Sequence, residues 1–240
     1  MTVALPRPTE RRTQAERSET MRQKLIEATL DCLVTDGYVG LTISKVTERA
    51  GVSRGAPLHH FSSKSGLMEA AARELVSRLS RKLVGAFAQS QQAADPVEAF
   101  IFAVWRDIFT AQEGAMLAEL TYASRREPEL ETIVKRLWTR VYLIMGRVAT
   151  RYVRSNRPDI PPERVLFLTQ WLMRGMAQDV PLGAPPELFK AYLRLWRTTL
   201  LEAANLEPGG RPGEVSEGPS RGSGAPAGPP YHADPPTDSG

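Results

Sequence analysis

The sequence predicts an all-α fold in which an N-terminal three-helix unit is joined by a long fourth helix to a larger helical domain. Three observations carry that expectation. Apolar residues recur at three-to-four spacing through most of residues 18–206, strand-like alternation and hairpin dipeptides are nearly absent, and capping residues stand ahead of the apolar runs. No sheet is expected. A chain of 240 residues, 42% of them hydrophobic, can bury a substantial core organised as one or two domains. The single Cys32 cannot close a disulfide within the chain, and the sequence has neither a signal-peptide pattern nor a run of about 18 apolar residues. The expectation is a soluble, cytoplasmic protein with no membrane partner.

The elements follow in order. Leu25, Ile26, Thr29, Leu30, Leu33 and Val34 share one face of a first helix that starts near Ser18, and Gly37 is placed to end it. Thr42 caps a short second helix over residues 42–50, with Ile43 and Val46 inward and Gly51 as its stop. A third short helix takes Ser53 as its cap and runs through Leu58 to Phe61, after which Ser62 and Ser63 open a long fourth helix over residues 64–89. Asp95-Pro96 starts a helix to about Thr110, another covers residues 115–124, and Pro128 opens one that continues through Leu137, Val141 and Ile144 to about Ser155. Pro158, Pro161 and Pro162 interrupt the pattern. Two strongly apolar helices, over residues 163–179 and 186–204, then form a hairpin across a Pro/Gly loop at residues 181–185.

The ends differ from the middle. Arg7, Arg11, Arg12, Arg17, Arg22 and Lys24 crowd the N-terminal region, and Gly, Pro, Ser and Asp dominate after Glu207, where too few large apolar residues remain to offset the entropy of ordering. The expected organisation is a disordered basic arm over residues 1–17, a helix-turn-helix unit over 18–64, a helical domain over 65–206 and a disordered tail over 207–240.

The most informative stretch, residues 40–61, reads Gly-Leu-Thr-Ile-Ser-Lys-Val-Thr-Glu-Arg-Ala-Gly-Val-Ser-Arg-Gly-Ala-Pro-Leu-His-His-Phe. Two short helices meet there at a tight turn. Gly51 supplies the awkward backbone, Val52 plugs the angle, and Ile43, Val46, Leu58 and Phe61 tie both helices to the first and fourth. The outer face of the third helix stays free, with the small Gly55 and Ala56 at its start and Arg54 as its reader, a form suited to a DNA major groove about 12 Å wide. Its N-terminal end aims backbone amides at phosphate. A net charge of +4 permits a polyanionic partner without requiring one.

An ordered series now stands out: a first helix ending Asp36-Gly37-Tyr38, then Leu41-Thr42, then Ala50-Gly51-Val52-Ser53, then His60-Phe61-x-x-Lys64 opening a long helix with Leu67. In this series the sequence resembles the TetR/AcrR family of bacterial one-component regulators, at motif level over roughly residues 25–67. The resemblance implies a helical regulatory domain with a ligand cavity and a homodimer sealed by the last two helices, where Leu166, Leu172, Leu193 and Trp196 are the candidate interface. It also implies that Thr42, Ser44 and Lys45 contact the DNA backbone, that Arg54, Gly55 and Ala56 read bases, and that His59 and Lys64 hold phosphates. Two positions depart from the pattern. Leu58 stands where many relatives have a tyrosine that grips the backbone, and Thr47 replaces a small alanine at the helix crossing, which strains the fit slightly. Pro57 lies in the first turn of its helix, where a missing amide costs little.

Other chemistry finds less support. Adjacent His59 and His60 point about 100° apart on a helix and have no cysteine or carboxylate cluster nearby, so no metal site and no cofactor are expected. Cys32 lies beside the apolar face of the first helix and reads as buried and inert. Trp105, Phe109, Met116, Trp138, Tyr142 and Trp171, with Met145, are candidates to line a pocket for a small apolar or amphipathic ligand, although at helical spacing each alone also reads as ordinary core. Arg106, Asp107, Glu119, Arg125 and Arg126 are candidate polar anchors against a bland reading as a solvated face. No Ser/His/Asp arrangement, Gly-rich phosphate loop or Cys/His metal spacing occurs, and no enzyme is expected. The reading is a ligand-responsive DNA-binding regulator, a repressor rather than an activator, on a roughly palindromic operator. Leu58 keeps open a rival reading as a helical adaptor protein with a weakened DNA-reading head.

Overall fold

The computed structural model describes residues 13–53, 55–61, 63–155, 157, 159–204 and 206–208. Arg7, Arg11 and Arg12 of the expected arm, the expected reader Arg54, and the tail from residue 209 lie outside the described residues.

Helix α1 (Gln14–Gly40) begins before Ser18 because Thr13 and Glu16 form a reciprocal cap. The Glu16 amide donates to Thr13 Oγ1 at 3.2 Å and the Thr13 amide donates to Glu16 Oε2 at 2.7 Å. Residues 14–17, expected in the arm, are therefore helical. Gly37, expected to end the first helix, interrupts it with non-helical φ 67° and ψ 176°, and a short helical segment continues beyond this kink to Gly40. Helix α2 (Ile43–Ala50) is capped by Thr42, whose Oγ1 accepts the Lys45 amide at 3.3 Å, and Gly51 closes it at φ 65°.

Helix α3 (Ala56–His60) starts at Gly55, not at the expected Ser53. Proline sets that limit. With Ser53 as the cap, Pro57 would occupy the fourth helical position, where an amide is needed to bond the cap carbonyl; starting at Ala56 leaves Pro57 in the first turn. The Ser53 carbonyl instead accepts the Ala56 amide at 3.0 Å in the intervening turn.

Helix α4 (Lys64–Ser90), capped by Ser63, runs 27 residues, about 40 Å. Helix α5 (Pro96–Val104), capped by Asp95, passes into a π-helical turn at Trp105–Phe109, where the Thr110 amide reaches back to the Trp105 carbonyl at 2.9 Å. Helices α6 (Gln112–Ala123), α7 (Pro128–Tyr152), α8 (Pro162–Ala177) and α9 (Pro186–Ala204) complete the α-helices among the described residues, with a 3-10 turn at Val180–Leu182 between the last two. The expected absence of any sheet needs correcting: β1 (Val153–Ser155) follows α7 directly and pairs antiparallel with β2 (Leu206–Pro208). Strands of three residues are too short to display an alternation that sequence patterning could register.

The core is continuous. Leu25, Leu30, Leu33 and Val46 bury against Phe61, Leu67, Ala71 and Leu75 of α4, and the same cluster continues into Ile101, Leu120, Leu130, Leu137 and Met173. Helix α4 is the shared spine, packing on α1 as well as on α5 and α7. The expected hairpin of the last two helices is present, with Trp196 Nε1 donating to Thr169 Oγ1 at 3.0 Å, while α9 also packs on α5 and sets Phe189 against Trp105 of the π-helical turn, ring centroids 5.1 Å apart.

Candidate nucleic-acid interface and helical cavity

The three-helix unit leaves a polar rim on α2, α3 and the start of α4. Thr42, Ser44, Lys45, Gly55, His59 and Lys64 are exposed, whereas Ala56 is half-buried. Thr42 Oγ1 spends an acceptor on its cap, and its hydroxyl proton remains available to donate. Lys45 Nζ pairs with Asp36, whose other carboxylate oxygen lies 3.6 Å from Arg49 Nη2. The hydrogen bond from Lys45 is the main reason the Asp36 carboxyl sits below its ordinary range. Lys64 Nζ lies 4.9 Å from the centroid of the Tyr38 ring. Pro57 and Phe61 face inward, with the Arg22 guanidinium 5.5 Å from the Phe61 ring centroid.

Thr47 at the helix crossing is buried, and its hydroxyl donates to the Ser44 carbonyl at 2.9 Å, so the polar group that replaces an expected methyl is satisfied locally. His60 is half-buried and His59 exposed. Cys32 is fully buried as a free thiol, and burial pushes its pKa up. Among the described residues no group of three or more His, Cys, Asp or Glu is placed to hold a metal ion, and no helix is long and apolar enough to cross a membrane.

The reading head is braced against the larger domain at the α1 kink. The Tyr38 amide donates to Glu119 Oε1 on α6 at 2.7 Å, and a side chain at Gly37 would meet that same oxygen at 2.9 Å. Arg78 of α4 pairs with Glu27 of α1 and, at 3.2 Å, with Glu74.

Between α4, α5, the π-helical turn, α6, α7 and α8 lies a cavity of about 60 Å³, walled by Val76, Leu79, Phe109, Trp138, Ile144 and Met145 among others. Of the aromatic and methionine residues expected in a pocket, Phe109, Trp138 and Met145 line it. Met116 and Tyr142 are buried but do not reach the lining, Trp105 stacks toward Phe189, and Trp171 is largely exposed with its Nε1 3.4 Å from Tyr142 Oη. The expected polar anchors are also spent elsewhere: Arg106 and Asp107 pair with each other on the surface, Glu119 holds Tyr38, Arg125 lies over Tyr122, and Arg126 is exposed.

Sequence patterning missed an unpaired polar group in the cavity wall. Gln170 is 6% exposed, and neither its Nε2 nor its Oε1 has a hydrogen-bond partner. The signal was present, because Gln170 occupies an inward position of α8 beside Val165, Leu166, Thr169 and Met173. The candidate dimer residues divide by burial. Leu166 and Leu193 are buried in their own chain, Leu166 as part of the cavity wall, and Leu172 and Trp196 are half-buried. The apolar side chains that α8 and α9 expose are instead Leu168, Trp171, Leu188, Tyr192 and Leu195.

The three-helix unit coincides with a match to the family profile described as bacterial regulatory proteins, tetR family, over residues 25–71. The chain is 32% identical over 172 residues to the HTH-type transcriptional regulator CymR of Pseudomonas putida, a similarity spanning 70% of this chain and 82% of that one. The chain belongs to the tetR family of bacterial regulatory proteins. It is also similar, at 26% identity over 75% of its own length and 92% of the relative's, to the HTH-type transcriptional repressor AcnR of Corynebacterium efficiens. Its fold matches the crystal structure of a transcriptional regulator from a Rhodococcus species with a TM-score of 0.61 and 25% identity, over 78% of this chain and 99% of that one. As a TetR-family member the protein is a DNA-binding transcriptional regulator and not an enzyme.

Proposed function

We propose that the protein is a ligand-responsive repressor that binds a roughly palindromic operator as a homodimer. Two copies of residues 54–59 enter successive major grooves, with Arg54, Gly55 and Ala56 facing bases and Thr42, Ser44, Lys45, His59 and Lys64 holding backbone phosphates. The observation that carries this reading is the course of α4, which holds Lys64 at the rim of the reading head and Val76, Leu79, Ser80 and Leu83 in the cavity wall. Lys64 and Leu79 are joined by about 22 Å of continuous helix, so a displacement at the cavity is transmitted to the head. A small apolar or amphipathic ligand that enlarges the cavity pushes on that helix.

The duplex fixes half-site separation at about 34–36 Å, so moving two heads apart by a few ångströms breaks simultaneous docking. The ligand needs only to prefer the conformation that does not fit DNA. The exposed Leu168, Trp171, Leu188, Tyr192 and Leu195 of α8 and α9 supply the face for a second copy. The name of the AcnR relative, a repressor, supports repression as the sense of regulation.

The test is titration of a duplex from the protein's own promoter with the wild type and with Arg54→Ala and Lys64→Ala. Arg54→Ala is expected to cost about 1–3 kcal/mol on the specific duplex and to relax selectivity, whereas Lys64→Ala weakens all duplexes alike and lowers the salt dependence. Unchanged affinity in both variants overturns groove docking and favours an adaptor role.

A further inference from the structure

We propose that Gln170 is the ligand-selecting group of the cavity, and that the molecule it selects is a compact, uncharged, single-ring compound carrying adjacent hydrogen-bond donor and acceptor atoms, as in a lactam or primary carboxamide. The proposal rests on the reading of this cavity as the ligand site and names the chemistry that site takes.

Three features define that chemistry. The first is the amide itself: Gln170 is 6% exposed, lies on the cavity wall, and leaves both Nε2 and Oε1 without a partner. Buried polar groups in folded proteins are nearly always paired, so an amide with both ends open in an apolar cavity is held ready for a complementary group. The second is the poverty of competing polar groups. The other polar lining residues are Ser80 and Thr169, and the Thr169 hydroxyl already donates to the Val165 carbonyl at 2.8 Å and accepts from Trp196 Nε1 at 3.0 Å.

The third is charge and shape. Among the described residues no Asp, Glu, Lys or Arg lines the cavity; Arg174 stacks over the Trp138 ring at 5.0 Å without joining the wall. An ionised ligand would be desolvated with no counter-charge, which excludes ammonium and carboxylate compounds. Phe100, Phe109 and Trp138 are aromatic neighbours for a flat molecule, and a volume of about 60 Å³ suits a single ring after modest side-chain shifts. A ligand with its N–H and C=O side by side closes a two-bond ring with the glutamine amide: its N–H donates to Oε1 and its carbonyl accepts from Nε2. A hydrocarbon of equal size leaves both unpaired.

The probes are 2-pyridone, N-methyl-2-pyridone, toluene and benzylammonium, each titrated calorimetrically into the full-length wild type, Gln170→Leu and Gln170→Met. The wild type is expected to bind 2-pyridone at least tenfold more tightly than the N-methylated compound or toluene, and not to bind benzylammonium. Both variants are expected to melt at higher temperature than the wild type and to prefer toluene. The proposal is overturned if the wild type binds none of the probes, binds 2-pyridone and toluene alike, or keeps its order of preference after either substitution. Promoter binding by the same preparations separates the two readings. Intact DNA binding with no probe selectivity removes the glutamine proposal alone, and probe selectivity without DNA binding removes the repressor reading alone.

Discussion

At the scale of single residues, close approach and unpaired polarity mark where the structure is intolerant. Gly114 opens α6 against the π-helical turn, and a methyl there would lie 2.5 Å from both the Ile108 and Phe109 carbonyl oxygens, which are fixed backbone atoms. Gly114→Ala is expected to destabilise the protein by about 1–3 kcal/mol in urea denaturation, because the turn must shift to relieve the overlap. A neutral result would mean that the π-helical turn relaxes freely. Asp36 gives a pH-dependent counterpart. Its carboxyl is held below the ordinary value by the Lys45 hydrogen bond, so its contribution is present above the unfolded-state pKa, about 3.9, and is lost as pH falls through the lower folded-state value. Thermal melts of Asp36→Asn and wild type should differ at neutral pH and converge in acid. The residue scale is also where the sequence was least legible. Thr42, Lys45, His59 and Lys64 could be placed on the outer rim because short-range periodicity and capping fix their faces. Gln170 could not, because an inward polar residue acquires meaning only once six separate elements come together without pairing it.

At the scale of elements, the helices were legible and their ends less so. The apolar spacing of Leu25 to Leu33 and of Leu67 to Phe87 gives α1 and α4 directly, since each buries a full stripe. The misplaced ends have local causes: the Thr13–Glu16 cap extends α1, Pro57 shortens α3, and a π-helical turn replaces regular helix after Val104. The π-helical turn is the last of its helix, so no later apolar position records the change of spacing it introduces. That turn matters because Ile108 and Phe109 form part of the cavity wall. The brace between α6 and α1 yields a further prediction. Glu119→Ala leaves the half-buried Tyr38 amide without its carboxylate partner, and about 1–3 kcal/mol of stability should be lost. Glu119→Gln keeps an acceptor oxygen and should lose less. Equal melting curves for the two variants would show that the contact is incidental.

At the scale of the whole molecule, the helical architecture was legible, whereas the side of α8 and α9 that meets solvent was not. Leu166, Leu172, Leu193 and Trp196 fit an apolar face when α8 and α9 are read alone, but each helix has two apolar sides. The fold turns Leu166 and Leu193 into the chain's own core and leaves Leu168, Trp171, Leu188, Tyr192 and Leu195 outside. Substituting Leu168 and Leu195 by Glu is therefore expected to give folded monomers in light scattering after size exclusion, whereas Leu193→Glu unfolds the chain. A dimer that survives the Leu168/Leu195 double substitution would move the interface elsewhere. The central claim, that this chain recognises a specific operator as a pair, is tested most directly by titrating the wild-type protein onto its promoter duplex and onto random duplex across a salt series. The account predicts tight, sequence-selective binding of two chains per roughly palindromic site, with selectivity persisting as salt rises. Weak binding that is equal on both duplexes and falls steeply with salt would contradict it, because counterion release alone would then supply the affinity.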